Sequence, residues 1–147
     1  MKRYQMIKDE AIKMLEEKSH GFYKREAYAH MFQVETLCVL LARKRNLNQE
    51  LASIIGLLHD IAIPLTMNSF DHANRSSMIA KELLMSSKQF NEEEINLIVH
   101  AISCHSNKSI VEDDYCELIK DADVLSHSLE GQLLKEEENK RLSHIEL

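Results

Sequence analysis

An all-α fold is predicted by two features of the chain. Three glycines (Gly21, Gly56, Gly131) and one proline (Pro64) punctuate 147 residues, too few for the turns of a sheet-rich domain. Leu, Ile, Glu, Lys and Ala, which are at home in helices, dominate the composition. The length and a hydrophobic content of 44% suit one domain over 1–147, a bundle of six or seven helices with a substantial core.

Helices are expected at about 3–18, 25–45, 48–61, 72–87, 92–106, 113–130 and 132–144. The second carries Ala27, His30, Val34, Leu37 and Leu41 at spacings of three and four, one buried face. Asn48 is placed to cap the third, which is apolar from Ile54 to Leu58. Asp71 is expected to cap the fourth, whose inward side holds His72, Ser76, Ile79 and Leu83. Asn91 followed by Glu94 makes a capping-box pair for the fifth, with Glu92 and Glu93 at its positive end. The sixth contains Lys120, Asp121, Ala122, Asp123, Val124 and Leu125; the charge run 135–141 reads as the solvated face of the last. The segment 61–70, with Pro64 and a histidine on either side, is the longest expected non-helical stretch and a candidate rim for a site.

A net charge of −6 opposes nonspecific binding to nucleic-acid phosphates. The longest purely apolar run, 37–42, falls far short of the ~20 residues of a membrane span, and the first residues lead into no signal-type apolar core. A cytoplasmic protein is expected. Cys38, Cys104 and Cys116 are odd in number and lack a C-x-x-C pair, which argues against a disulfide framework or a zinc-thiolate knuckle; they read as small buried hydrophobes.

Eight histidines are more than double the usual share. His30 lies on a buried stripe, and His59 and Asp60 arrive together at the end of an apolar helix, where an unpaired charge is expensive. His72 opens its helix with the ring able to point inward past the Pro64 loop. His100 and His105 are five residues apart, about 140° around a helix axis, so they do not easily share one ion; His105 keeps the apolar company of Ile98, Ala101 and Ile102 and is the inward candidate. Asp121 and Asp123 flank Ala122, and periodicity does not choose between them. Taken singly, these residues read as core histidines and charged helix edges. Together, four imidazoles and two carboxylates form the donor set for Fe, Mn, Zn and related ions, and a metal site is the favoured reading.

The pattern of His30, the His59–Asp60 doublet after Leu57 and Leu58, and Asp123 in Asp121-Ala122-Asp123 resembles the HD superfamily of metal-dependent phosphohydrolases, over roughly 25–130. The resemblance implies an all-helical enzyme in which His30, His59, Asp60 and Asp123 bind a first ion, with Asp60 catalytic. His72 and His105 fall where members with a second metal carry ligands. The implied cofactor is a divalent transition metal, Fe, Mn, Zn, Ni or Co, as one or two ions, with Mg also admitted. One departure stands out: where the family often places a lysine that helps hold phosphate, this chain has Ile63. Arg25, Arg75 and Lys108 are the expected replacements, with Lys81 a fourth, and His127, four residues after Asp123, is an expected hydrogen-bond partner behind the ligands or a solvent-facing residue. The implied substrate is a nucleotide or other small phosphate ester, with no nucleic-acid polymer or membrane as partner and a homodimer as the oligomer to test. Two other readings remain open: a di-iron oxygenase on the same scaffold, and a catalytically idle sensor module.

Overall fold

Asn48, Asn91 and Asp113 each stop a stretch of chain and start a helix by accepting hydrogen bonds from the first free backbone amides. The computed structural model describes residues 2–147 and is helical throughout: α1 (Lys2–Lys18), α2 (Gly21–Lys44), α3 (Gln49–Leu58), α4 (Ala62–Thr66), α5 (His72–Ser87), α6 (Glu92–Cys104), α7 (Asp114–Leu129) and α8 (Glu136–Ser143). The capping box of Asn91 with Glu94 forms as expected.

Helix α3 is the axis of the bundle. Every residue from Leu51 to Leu58 is buried, with α2, α6, α7 and α1 packed around it. Gly56 lets α2 approach: a Cβ there would meet Cys38 Sγ and the Glu35 Cα, both at 2.9 Å. Ile7, Ala11 and Leu15 of α1 close another side, and α5 pairs with α6 to complete the core.

Two expectations are corrected. The segment 61–70 holds a one-turn helix, α4, beside the seven expected helices. Pro64 sits in its first turn, where a missing amide proton costs nothing, and Met67 ends it at φ 51°. Asp71 does not cap α5; its backbone is left-handed at φ 46°, and its carboxylate accepts from the Asn74 side chain instead. No helix among the described residues is long and apolar enough to cross a membrane.

Candidate metal centre

The end of α3 brings His59 and Asp60 to the middle of the bundle. His59 is fully buried, and its Nδ1 donates to the Gly56 carbonyl at 2.7 Å, which fixes the proton on Nδ1 and aims the Nε2 lone pair inward. The same device recurs: His105 Nδ1 donates to the Ile102 carbonyl at 2.7 Å, His72 Nδ1 to the Ser69 carbonyl at 3.1 Å, and His30 Nδ1 to Glu130 Oε1 at 3.0 Å. Each ring is held from behind, the arrangement that orients metal-ligating histidines.

The inward nitrogens meet carboxylate oxygens at two adjoining points. At the first, His30 Nε2 lies 3.1 Å from His59 Nε2, 3.1 Å from Asp123 Oδ1 and 3.3 Å from Asp60 Oδ2. At the second, Asp60 Oδ1 lies 2.9 Å from His105 Nε2 and 3.4 Å from His72 Nε2. Asp60 thus turns one oxygen to each group. These separations match the edges, about 3.0 to 3.4 Å, between ligand atoms bonded at about 2.1 Å to one ion. Asp123 Oδ1 is buried without an aligned hydrogen-bond donor, although two ring nitrogens approach within 3.3 Å. Two lone-pair-bearing nitrogens and an orphaned carboxylate oxygen facing one point are stable only around a cation or a proton, so the residues fit a metal.

Electrostatics agrees. Burial opposes ionisation of Asp60 and Asp123, yet His59 beside the first and Lys108 beside the second hold both carboxyls well below the usual range. Burial lowers His30, but Asp123 and Asp60 outweigh it and raise the ring to about 11; the same contest raises His59 to about 9. Burial wins at His105 and lowers the ring below the usual histidine range. Charge is therefore already gathered where a divalent ion would take the place of protons.

His100 stays outside this group, with its side chain 56% exposed, while His105 is buried within it. His127 stacks on His30 with ring centroids 5.5 Å apart, places Nε2 3.4 Å from Asp123 Oδ1 and donates from Nδ1 to Glu138 Oε2 at 2.8 Å. Asp121 turns away to Arg45 and Arg141, which resolves the Asp121–Asp123 ambiguity. The three expected cations part company. Arg75 is tied to the carbonyls of Asn68 and Phe70 and to Thr66, bracing α4 against α5. Arg25 is exposed on α2, and it is the neighbouring Glu26 that faces the cavity. Lys108 alone reaches the centre, with Nζ 2.9 Å from Asp123 Oδ2 and a second bond to the His105 carbonyl. Lys81 is exposed, one residue beyond the buried Ala80 of α5.

Sequence reasoning missed the supports behind the ligands. Glu130 and Ser126 flank His30 Nδ1, and Gln33 accepts from Ser126 at 2.6 Å. The spacing of Ser126 and Glu130, three and seven residues after Asp123, was the available signal that they share its face of α7. A cavity of about 270 Å3 opens beside His30, His59 and Asp60, walled by Phe22, Tyr23, Met31, Leu57, Ile63 and Pro64 and edged by Glu26 and Glu130.

This arrangement has relatives. The chain is 34% identical over 129 residues, 84% of its length, to ribonuclease Y of Lawsonia intracellularis (strain PHE/MN1-00), covering 23% of that protein. It is 31% identical over 145 residues, 95% of its length, to ribonuclease Y of Syntrophobacter fumaroxidans (strain DSM 10017 / MPOB), covering 26% of that protein. The chain thus spans about a quarter of the length of the curated relatives it matches. Its fold is similar to the crystal structure of a predicted HD superfamily hydrolase from an uncultured Thermotogales bacterium, with TM-score 0.69, 20% identity, and coverage of 92% of this chain and 84% of that one. The HD domain model matches residues 27–128, which contain all six converging side chains. On that match, the chain belongs to the HD domain family.

Proposed function

We propose that the protein is a metal-dependent phosphohydrolase acting on a nucleotide or other small phosphate ester. The observation that carries this reading is the placement of Asp60 between two imidazole groups, one carboxylate oxygen turned to each. His30, His59, Asp60 and Asp123 would hold one divalent ion, and Asp60, His72 and His105 a second. Bound there, such an ion supplies a water whose pKa falls from 15.7 toward about 7 and offsets the charge of a phosphoryl group.

The chain's own residues do the rest. Asp60 is the catalytic carboxylate, because it would be shared by both ions with one oxygen turned to each. His127 and Lys108 hold Asp123 in place, and Lys108 supplies the positive charge that the position of Ile63 lacks. The cavity offers the half-exposed ring of Tyr23 and the exposed ring of Phe22 to a base, with the ester at the metal end. The relatives are named for ribonuclease activity, which concerns a phosphodiester and supports the bond class. A net charge of −6 and the carboxylates at the cavity edge favour a small substrate over a long polyanion.

Protein purified without chelator should carry at least ~0.5 equivalent of a first-row transition metal. Reconstituted with Mn2+ or Fe2+, it should release product from nucleoside monophosphates, dinucleotides or a chromogenic phosphodiester. Metal-loaded protein that hydrolyses none of these overturns the reading; oxygen consumption with iron then points to an oxygenase, and ligand binding without turnover to a sensor.

A further inference from the structure

On the side of α6 turned away from the centre, three side chains that the sequence alone left unrelated come together. His100 and Cys104 share a face at a spacing of four, and Cys116 enters from the first turn of α7, so that one ligand atom from each lies within 4.8 Å of the others. Asp113, the residue before α7, uses Oδ1 to cap that helix and leaves Oδ2 facing His100. We propose that His100, Cys104 and Cys116 form a zinc site separate from the histidine–aspartate centre, with Asp113 beside the imidazole.

Geometry and chemistry support it. Tetrahedral zinc with bonds of about 2.3 Å to sulfur, 2.0–2.1 Å to imidazole and 2.0–2.2 Å to carboxylate needs ligand separations of about 3.5 Å for S···N and about 3.4 Å for N···O. The structure has Cys104 Sγ 3.6 Å from His100 Nε2, and His100 Nε2 3.4 Å from Asp113 Oδ2. The thiols are 6% and 0% exposed while the imidazole and carboxylate are both 56% exposed, so the sulfurs are shielded and the ion has a way in. Cysteines acting only as small apolar residues, the sequence expectation, would not need an imidazole and a carboxylate turned toward them.

Cysteine holds a cation as the thiolate. Binding exchanges the two thiol protons for one divalent ion, and affinity rises with pH. Thiolate sulfur favours zinc over the harder ions suited to carboxylates. The site would clip the end of α6 to the start of α7 across 105–113, the connection that carries His105 and Lys108. Its role is structural, and it stands or falls independently of the hydrolase reading.

Cobalt(II) titrated into metal-free, reduced protein tests it, because a near-ultraviolet thiolate-to-cobalt band arises at this site and not at the nitrogen and oxygen donors of the other. The band should appear with one equivalent, be displaced by zinc and persist in His30→Ala. Cys104→Ser/Cys116→Ser should lose the band and one equivalent of zinc while the circular dichroism stays helical. Because that double variant removes buried groups, His100→Ala, at an exposed position, is the second arm: it should weaken zinc at the thiolate site at least about tenfold, the low end of what losing even an outer partner costs. No band in wild type with all three thiols titratable, a full band in the double variant, or unchanged zinc affinity in His100→Ala each overturns the proposal.

Discussion

The two halves of the histidine–aspartate centre share Asp60 but are held with different firmness. In the first, the side chains of His59 and Asp123 are 1% and 5% exposed, His30 is braced by Glu130 and Ser126, and Lys108 and His127 flank Asp123. In the second, His105 is equally buried, but His72 is 29% exposed and leans on a carbonyl of the turn before α5. The first half has a carboxylate of its own, and the second has only the share of Asp60 that faces it. The difference teaches that the halves should fill in order, the first tightly and the second weakly, because charge and restrained imidazoles both favour the first.

The strongest way to break this picture is to remove the shared residue. Asp60→Ala should abolish hydrolysis, a loss of three or more powers of ten for several kcal/mol of transition-state stabilisation, and should lower metal content in both halves while the circular dichroism stays helical. Activity within threefold of wild type would make Asp60 a structural residue. Next in size, Glu130→Ala should weaken the first ion alone by about 10- to 100-fold, since it removes the brace behind His30 without touching a ligand. His72→Ala should spare the first ion and weaken the second; equal effects on both, measured by calorimetric titration, would end the idea of ordered filling.

A smaller effect concerns the scaffold. Gly56→Ala drives a methyl into Glu35 and Cys38 and should cost about 1–3 kcal/mol in urea denaturation, separating α2 from α3 and with it His30 from His59. The smallest is a pH effect at Glu35, which faces Lys8 at 3.3 Å with the Tyr4 hydroxyl and the Cys38 thiol close by. Burial pushes the Glu35 carboxyl up to about 7. A carboxyl raised on folding holds its proton longer in the native than in the unfolded chain, so its contribution to stability is lost as pH rises from about 4.5 through about 7. Glu35→Gln should therefore gain on wild type by about 1–2 kcal/mol between pH 5 and pH 8, the lost Lys8 pair offsetting part of the change. A difference in melting temperature that does not vary with pH would refute it.

The helices and the converging side chains are legible because both leave marks within one stretch of chain: apolar periodicity, capping residues, an adjacent His-Asp pair on a buried helix. His105 was separable from His100 by helical phase alone. What stayed hidden depended on distant encounters. Ser126 and Glu130 gain meaning only once α7 lies against His30, and Cys104 and Cys116, twelve residues apart on two helices, show no short motif. Arg25, Arg75 and Lys108 looked interchangeable as cations, and only the backbone bonds that occupy Arg75 and the turn that delivers Lys108 to Asp123 tell them apart. The helix within 61–70 is too short to carry a periodic signal.

Helix α8 lies wholly beyond the residues that match the HD domain model. Yet Arg141 donates to the carbonyls of Lys108 and Ile110 and to the carboxylates of Glu117 and Asp121, and Glu138 accepts from His127. A chain cut at the limit of the HD domain model would keep every proposed ligand but release the turn that presents Lys108 and the partner that orients His127. The segment that matches the family model and the unit that holds this centre together thus have different borders, and truncations designed from that model alone would stop one helix too early.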